Sequence, residues 1–241
     1  MATNPSVIAS TSGGVDGTSP LTLPFALVSA ANRCLVAAYA LTASGVPTMG
    51  TPTYDGVPGT LYVKDESDPN PYLTWGGLWY WLEADLPEDT DSHDVAFAPG
   101  GGVTRYAAGV ALVAGVQQST PWDGAGVTVS EEPADSMITI NKTTTVDDPL
   151  LIGVVGAHGA GGVATPAFGA VNVWLQTPGD HLTAEGYREV PNPASHAMRW
   201  IFGAPDTPRA VACMGALVPA DPAPPAGDGS SWFGAHIRGA I

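Results

Sequence analysis

The stretch from Gly77 to Pro121 constrains this chain most. It opens with the aromatic run Gly77-Leu-Trp-Tyr-Trp-Leu-Glu-Ala84 and passes through an acidic turn to Asp94-Val-Ala-Phe-Ala98. A Gly-rich turn follows, then Arg105-Tyr-Ala-Ala-Gly-Val-Ala-Leu-Val-Ala-Gly-Val116. Short β-rich runs bounded by turn residues read as strand, turn, strand, turn, strand. A meander needs further strands to pack on, and the rest of the chain supplies them in the same style. With 30 Gly and 23 Pro, apolar segments are cut before a long helix can form. The expected fold class is all-β: an antiparallel, jelly-roll-like β-sandwich over residues 1–220, followed by an extended arm over 221–241.

Several runs are apolar on both faces, among them Asn32 to Thr42, Pro149 to Ala157 and Ala210 to Val218. A strand with one solvated face alternates apolar and polar residues, so these runs need covering twice. A loop layer or a neighbouring subunit would do it, and the second points to a homo-oligomer. Asp55-Gly56 marks one hairpin turn, and Pro178-Gly179-Asp180 another. Ser10 to Gly17 reads as a loop after a short edge strand. Pro24 keeps its own strand at a sheet edge.

The net charge is −15 with eight Lys and Arg. So few cations cannot neutralise a phosphate backbone, so nucleic acid is not an expected partner. An anionic membrane surface is disfavoured by the same sign, and no stretch reads as an uninterrupted span. The opening Met1-Ala-Thr-Asn-Pro-Ser-Val-Ile lacks the basic and apolar regions of a secretory signal. Cys34 and Cys213 therefore read first as buried thiols, with a disulfide joining early and late strands as the alternative.

Pro219-Ala-Asp-Pro-Ala-Pro-Pro-Ala-Gly-Asp-Gly-Ser-Ser231 has the composition of an extended polyproline-like linker. It leads to a tip bearing Trp232, Phe233, Ile237 and Ile241, which we expect to dock on another chain. Trp75, Trp79 and Trp81 form an aromatic cluster; Trp79 and Trp81 share one strand face. Core packing is the first expectation for them and a glycan-stacking platform the second. Asp89, Asp91 and Asp94 lie on an acidic turn that lacks the glycine and terminal glutamate of an EF-hand loop. They are weak calcium candidates beside a plain solvated hairpin tip.

Catalytic patterns are thin. There is no G-x-S-x-G and no HExxH. Gly156 to Gly162 lacks the Lys-Ser/Thr ending of a phosphate loop. Glu83, Asp123 and Glu185 lie near aromatics, as a pair of hydrolytic carboxylates would, but among 23 acids chance provides this. His93, His158, His181, His196 and His236 show no ligand spacing. Neither a cofactor nor an enzymatic activity is expected.

Asn32-Arg-Cys-Leu-Val-Ala-Ala-Tyr39, Thr53-Tyr-Asp-Gly-Val-Pro58, Leu78-Trp-Tyr-Trp-Leu82, Ala107 to Pro121, Arg199-Trp-Ile-Phe202 and Val211 to Pro219 follow one another in an order that resembles a known module. It is the jelly-roll β-sandwich of tailed-phage and gene-transfer-agent virion proteins, and of some bacterial surface proteins. The resemblance covers about residues 5–220. It implies head decoration, a head spike or a tail appendage, often oligomeric and sometimes contacting host polysaccharide. It supplies no catalytic residues, and the C-terminal arm departs from it. The expectation is a virion structural protein, assembled in the host cytoplasm and bound to other virion subunits. A carbohydrate-binding module ranks second and a glycan-active enzyme third.

Overall fold

The computed structural model describes residues 4–45, 47–66, 73–131, 136–159, 164–203 and 209–221. Among these residues the chain is built of strands, with one short 3₁₀ turn at Glu83–Asp85. The first half holds β1 (Ser6–Asp16), β2 (Leu21–Ala26), β3 (Cys34–Ala43), β4 (Thr53–Tyr54), β5 (Val57–Pro58), β6 (Thr60–Glu66), β7 (Leu73–Leu82), β8 (Ser92–Phe97) and β9 (Val103–Ala114). They form an inner sheet ordered β1-β9-β3-β7-β6 and an outer sheet ordered β2-β8-β4-β5, both antiparallel.

The second half holds β10 (Val127–Glu131), β11 (Met137–Thr143), β12 (Leu150–His158), β13 (Ala164–Ala167), β14 (Val171–Gln176), β15 (His181–Glu189), β16 (Ser195–Phe202) and β17 (Arg209–Leu217). Its inner sheet runs β10-β17-β12-β15-β14 and its outer sheet β11-β16-β13. Counted from the start of each half, with β4 and β5 as one hairpin, both halves have the order 1-8-3-6-5 inside and 2-7-4 outside. One fold is written twice. Local chemistry repeats with it: Asn32 and Asp148 both take a left-handed φ two residues before the central strands β3 and β12. Asp55-Gly56 and Phe168-Gly169 make equivalent left-handed turns. Both β8 and β16 open on Ser-His.

The expected two layers are thus four. One core lies between the first outer and inner sheets, with Tyr39, Tyr54, Trp81, Phe97 and Tyr106 at its centre. Another lies between the second pair of sheets, around Ile138, Met198, Trp200 and Met214. A third fills the seam between the inner sheets, where Val36, Ala38 and Val113 meet Ile152, Val154 and Leu217. β1 lies against β14 and β10 against β6, the reciprocal contacts of an approximate two-fold axis. The strands that lack alternation belong to these inner sheets. Their second face is covered by the other half of the same chain, so that pattern says nothing about assembly.

Ser10 to Asp16, expected as loop, continues β1 along the edge of the inner sheet. Its glycines let the sheets approach: a Cβ on Gly14 would sit 3.1 Å from the Pro178 ring. Cys34 and Cys213 are both free and fully buried in the seam, and burial pushes both thiols well up. Cys213 donates to the Gly76 carbonyl at 3.3 Å. Neither should react with a water-soluble maleimide in native protein, and both should react after unfolding. Intact mass will show this, and rapid native labelling would contradict the burial.

Candidate functional site

Trp79 and Trp81 are 2 % and 1 % exposed, inside the first core. Their shared strand face is the one turned toward the outer sheet. Trp81 also donates its indole N–H to the Val57 carbonyl at 3.0 Å. Rings held this way offer no face to a sugar, so the glycan-stacking expectation is corrected for both. Trp75 is half-buried against the same core. The calcium candidates do not converge. Asp89 accepts from His93 Nε2 at 2.7 Å and from the Asp91 backbone N–H, while His93 Nδ1 lies 3.4 Å from Asp55. That pairing lowers the Asp89 carboxyl and raises the His93 imidazole. Among the described residues no three His, Cys, Asp or Glu are grouped to hold a metal. Trp232, Phe233, Ile237 and Ile241 lie outside the described residues.

The three acids near aromatics each sit in their own network. Glu83 is paired with Arg33. Asp123 accepts from the Thr145 hydroxyl at 2.6 Å and from its backbone N–H. Glu185 is buried and accepts from the Trp174 indole N–H.

The face that stands out was not flagged by sequence. On the outside of the second outer sheet, Arg199 lies between Thr139 on β11 and Ala167 on β13. Its Nε donates to the Thr139 hydroxyl at 2.7 Å, and its guanidinium lies 4.5 Å from the centre of the Phe168 ring. No carboxylate pairs with it among the described residues, in a chain of net charge −15. Ile201 is 40 % exposed beside Met137 and Thr165, and Phe168 is 47 % exposed.

Phe168 carries a φ of 60°. That region suits Gly, Asn or Asp and strains a bulky side chain. The twin turn carries Asp55 with a φ of 48°, an ordinary occupant. The outer face of the first outer sheet carries no such group at the corresponding height: its outward residue on β8 is Ala96, between Thr22 and Thr53. Phe, Met and Arg are residues enriched at protein interfaces.

A second polar feature is interior. β15 turns His181, Thr183 and Glu185 into the seam, all buried. At its mouth Asp180 accepts from Arg105, which also reaches Asp16 at 3.1 Å, and lies 3.5 Å from His158.

Among the described residues no helix is long and apolar enough to cross a membrane. Comparison with protein-family models, with curated proteins and with solved structures finds no match.

Proposed function

We propose that the chain is a non-enzymatic structural subunit of a phage-like particle, a head decoration, spike or tail component, and that it docks on a neighbouring subunit through the outer face of the second outer sheet. The observation that carries this is the contrast between twin faces: Arg199, Ile201, Met137 and Phe168 on one, small residues around Ala96 on the other. We read the doubled strand order as two jelly rolls in tandem, where the sequence resembles a single such module over about residues 5–220. The apolar strands are consumed inside the chain, which leaves a stiff body whose exposed apolar side chains are free for contact. The guanidinium, which pairs with no carboxylate among the described residues, calls for one on the partner, bound bidentately over the Phe168 ring.

The test is the double variant R199E/I201D in a strain that produces particles. Surface changes of this kind shift stability by about 0.5 kcal/mol or less. The melting curve should therefore stay in place, while the amount of chain on purified particles falls at least about tenfold, the loss of one good charged contact. Wild-type protein absent from particles would overturn the functional reading. Undiminished incorporation of the variant would move the docking face elsewhere.

A further inference from the structure

The seam is apolar except along one line, and the doubled fold provides an internal control for that line. In register, His181, Thr183 and Glu185 pair with His158, Gly156 and Val154 on β12. In the first half the same places on β7 are Thr74, Gly76 and Leu78, paired with Thr42, Ala40 and Ala38 on β3. Packing alone is met there by small or apolar groups, so it does not demand a histidine in the twin position.

His181 is fully buried and joins the halves. One ring nitrogen, Nδ1, lies 2.7 Å from the Thr42 hydroxyl on β3. The other, Nε2, lies 2.8 Å from the Thr183 hydroxyl and 3.3 Å from the Ala40 carbonyl. A carbonyl can only accept, so Nε2 carries the proton, and Nδ1 accepts from Thr42 across the seam. A second proton would land on Nδ1; the Thr42 hydroxyl can turn to accept from it, but the charge would stand fully buried beside Ala40 and Thr183. The charged groups facing it are His158 on β12, Asp180 in the turn before β15, Arg105 on β9 with Asp16 on β1, and Arg209 on β17. Asp180 is already engaged by Arg105 and His158, so it does not neutralise the imidazolium.

We propose that His181 is an acid release for the seam: taking up a proton there buries an uncompensated charge between the halves, and the two sandwiches part while each keeps its own core. The surface exposed is the apolar inner face of both halves, hidden at neutral pH.

Burial pulls His181 down to about 3, and also lowers His158. The unfolded or opened value is about 6.5. A group depressed in this way holds the seam fully above about pH 6.5 and loses its contribution as pH falls from there toward the folded value. One proton gives about tenfold per pH unit, so the His181 contribution by itself raises the open fraction roughly 100-fold from pH 7 to 4.5, while the buried acid Glu185 on the same strand works in the opposite sense. Aspartates titrate near 3.9, below this window.

The experiment is amide hydrogen exchange on the full chain carrying Glu185→Gln, which removes the opposing acid, from pH 7 to 4.5, corrected for intrinsic rates. Peptides of β3, β12 and β15 should lose protection about 100-fold, while β2, β8 and β16 keep theirs. The same chain with H181Q added, which keeps a donor and an acceptor but cannot charge, should show no such loss. A flat profile to pH 4.5 in the Glu185→Gln chain overturns the proposal. Simultaneous loss in inner and outer strands overturns it too, as does a transition that survives in H181Q.

Discussion

Trp200→Ala is expected to cost about 3–5 kcal/mol of stability, the range for emptying a large buried aromatic site. Trp200 is fully buried on β16, in the middle of the second core. The ring fills space left open by two glycines: a Cβ on Gly153 would lie 3.2 Å from it, and one on Gly186 3.6 Å. Its indole N–H finds no partner among the described residues. Shape therefore holds this side chain, and its polar atom is a burden of about 1–3 kcal/mol. Trp200→Phe should accordingly cost clearly less than Trp200→Ala, because it removes the orphaned donor along with part of the volume. Urea midpoints at an unchanged slope would measure both. Folded domains hold only about 5–15 kcal/mol in total, so the alanine variant should sit near its unfolding threshold at room temperature. Equal losses for the two variants would mean that the ring is not packed as described.

The second core shows what sequence could and could not reveal. The strands expected between Gly77 and Val116 are β7, β8 and β9, but they form no meander: β7 and β9 flank β3 in the inner sheet and β8 lies in the outer one. The turn residues Asp55-Gly56 and Pro178 to Asp180 sit where hairpins form. Burial of β3, β12 and β17 on both faces was legible from their lack of alternation. What covered them was not, because alternation reports burial and carries no information about the covering partner. The duplication stayed hidden because equivalent positions differ in chemistry: Val63 and Leu78 in one half answer to Trp174 and Glu185 in the other. The surviving echoes are backbone demands, Asn32 with Asp148, and short strings such as Ser92-His93 with Ser195-His196. Trp79 and Trp81 could be put on one face by spacing, but which face was buried depended on the sheet above. Phe168 gave no warning because Phe-Gly is no signature of this turn, where Asn-Gly or Asp-Gly is usual.

Glu185→Gln is the second change with a large effect, and its sign opposes that of His181. One carboxyl oxygen of Glu185 accepts from the Trp174 indole, and the other has no partner among the described residues. Complete burial raises this acid well above the usual carboxylate range. In the unfolded chain it ionises near 4.3. A raised group contributes its full stability below that value and loses it as pH climbs toward the folded value. Each unit of pH in that window removes about 1.4 kcal/mol. The difference between wild type and Glu185→Gln isolates the effect, since the His181 contribution is common to both and cancels. That difference should move against the wild type from pH 5 upward, and a flat difference would mean that water reaches the carboxyl. The twin position holds Leu78, in a seam that closes equally well. Glu185→Leu alone orphans the Trp174 donor. Paired with Trp174→Phe it removes acid and donor together, and it should stabilise the chain by about 1–3 kcal/mol at neutral pH.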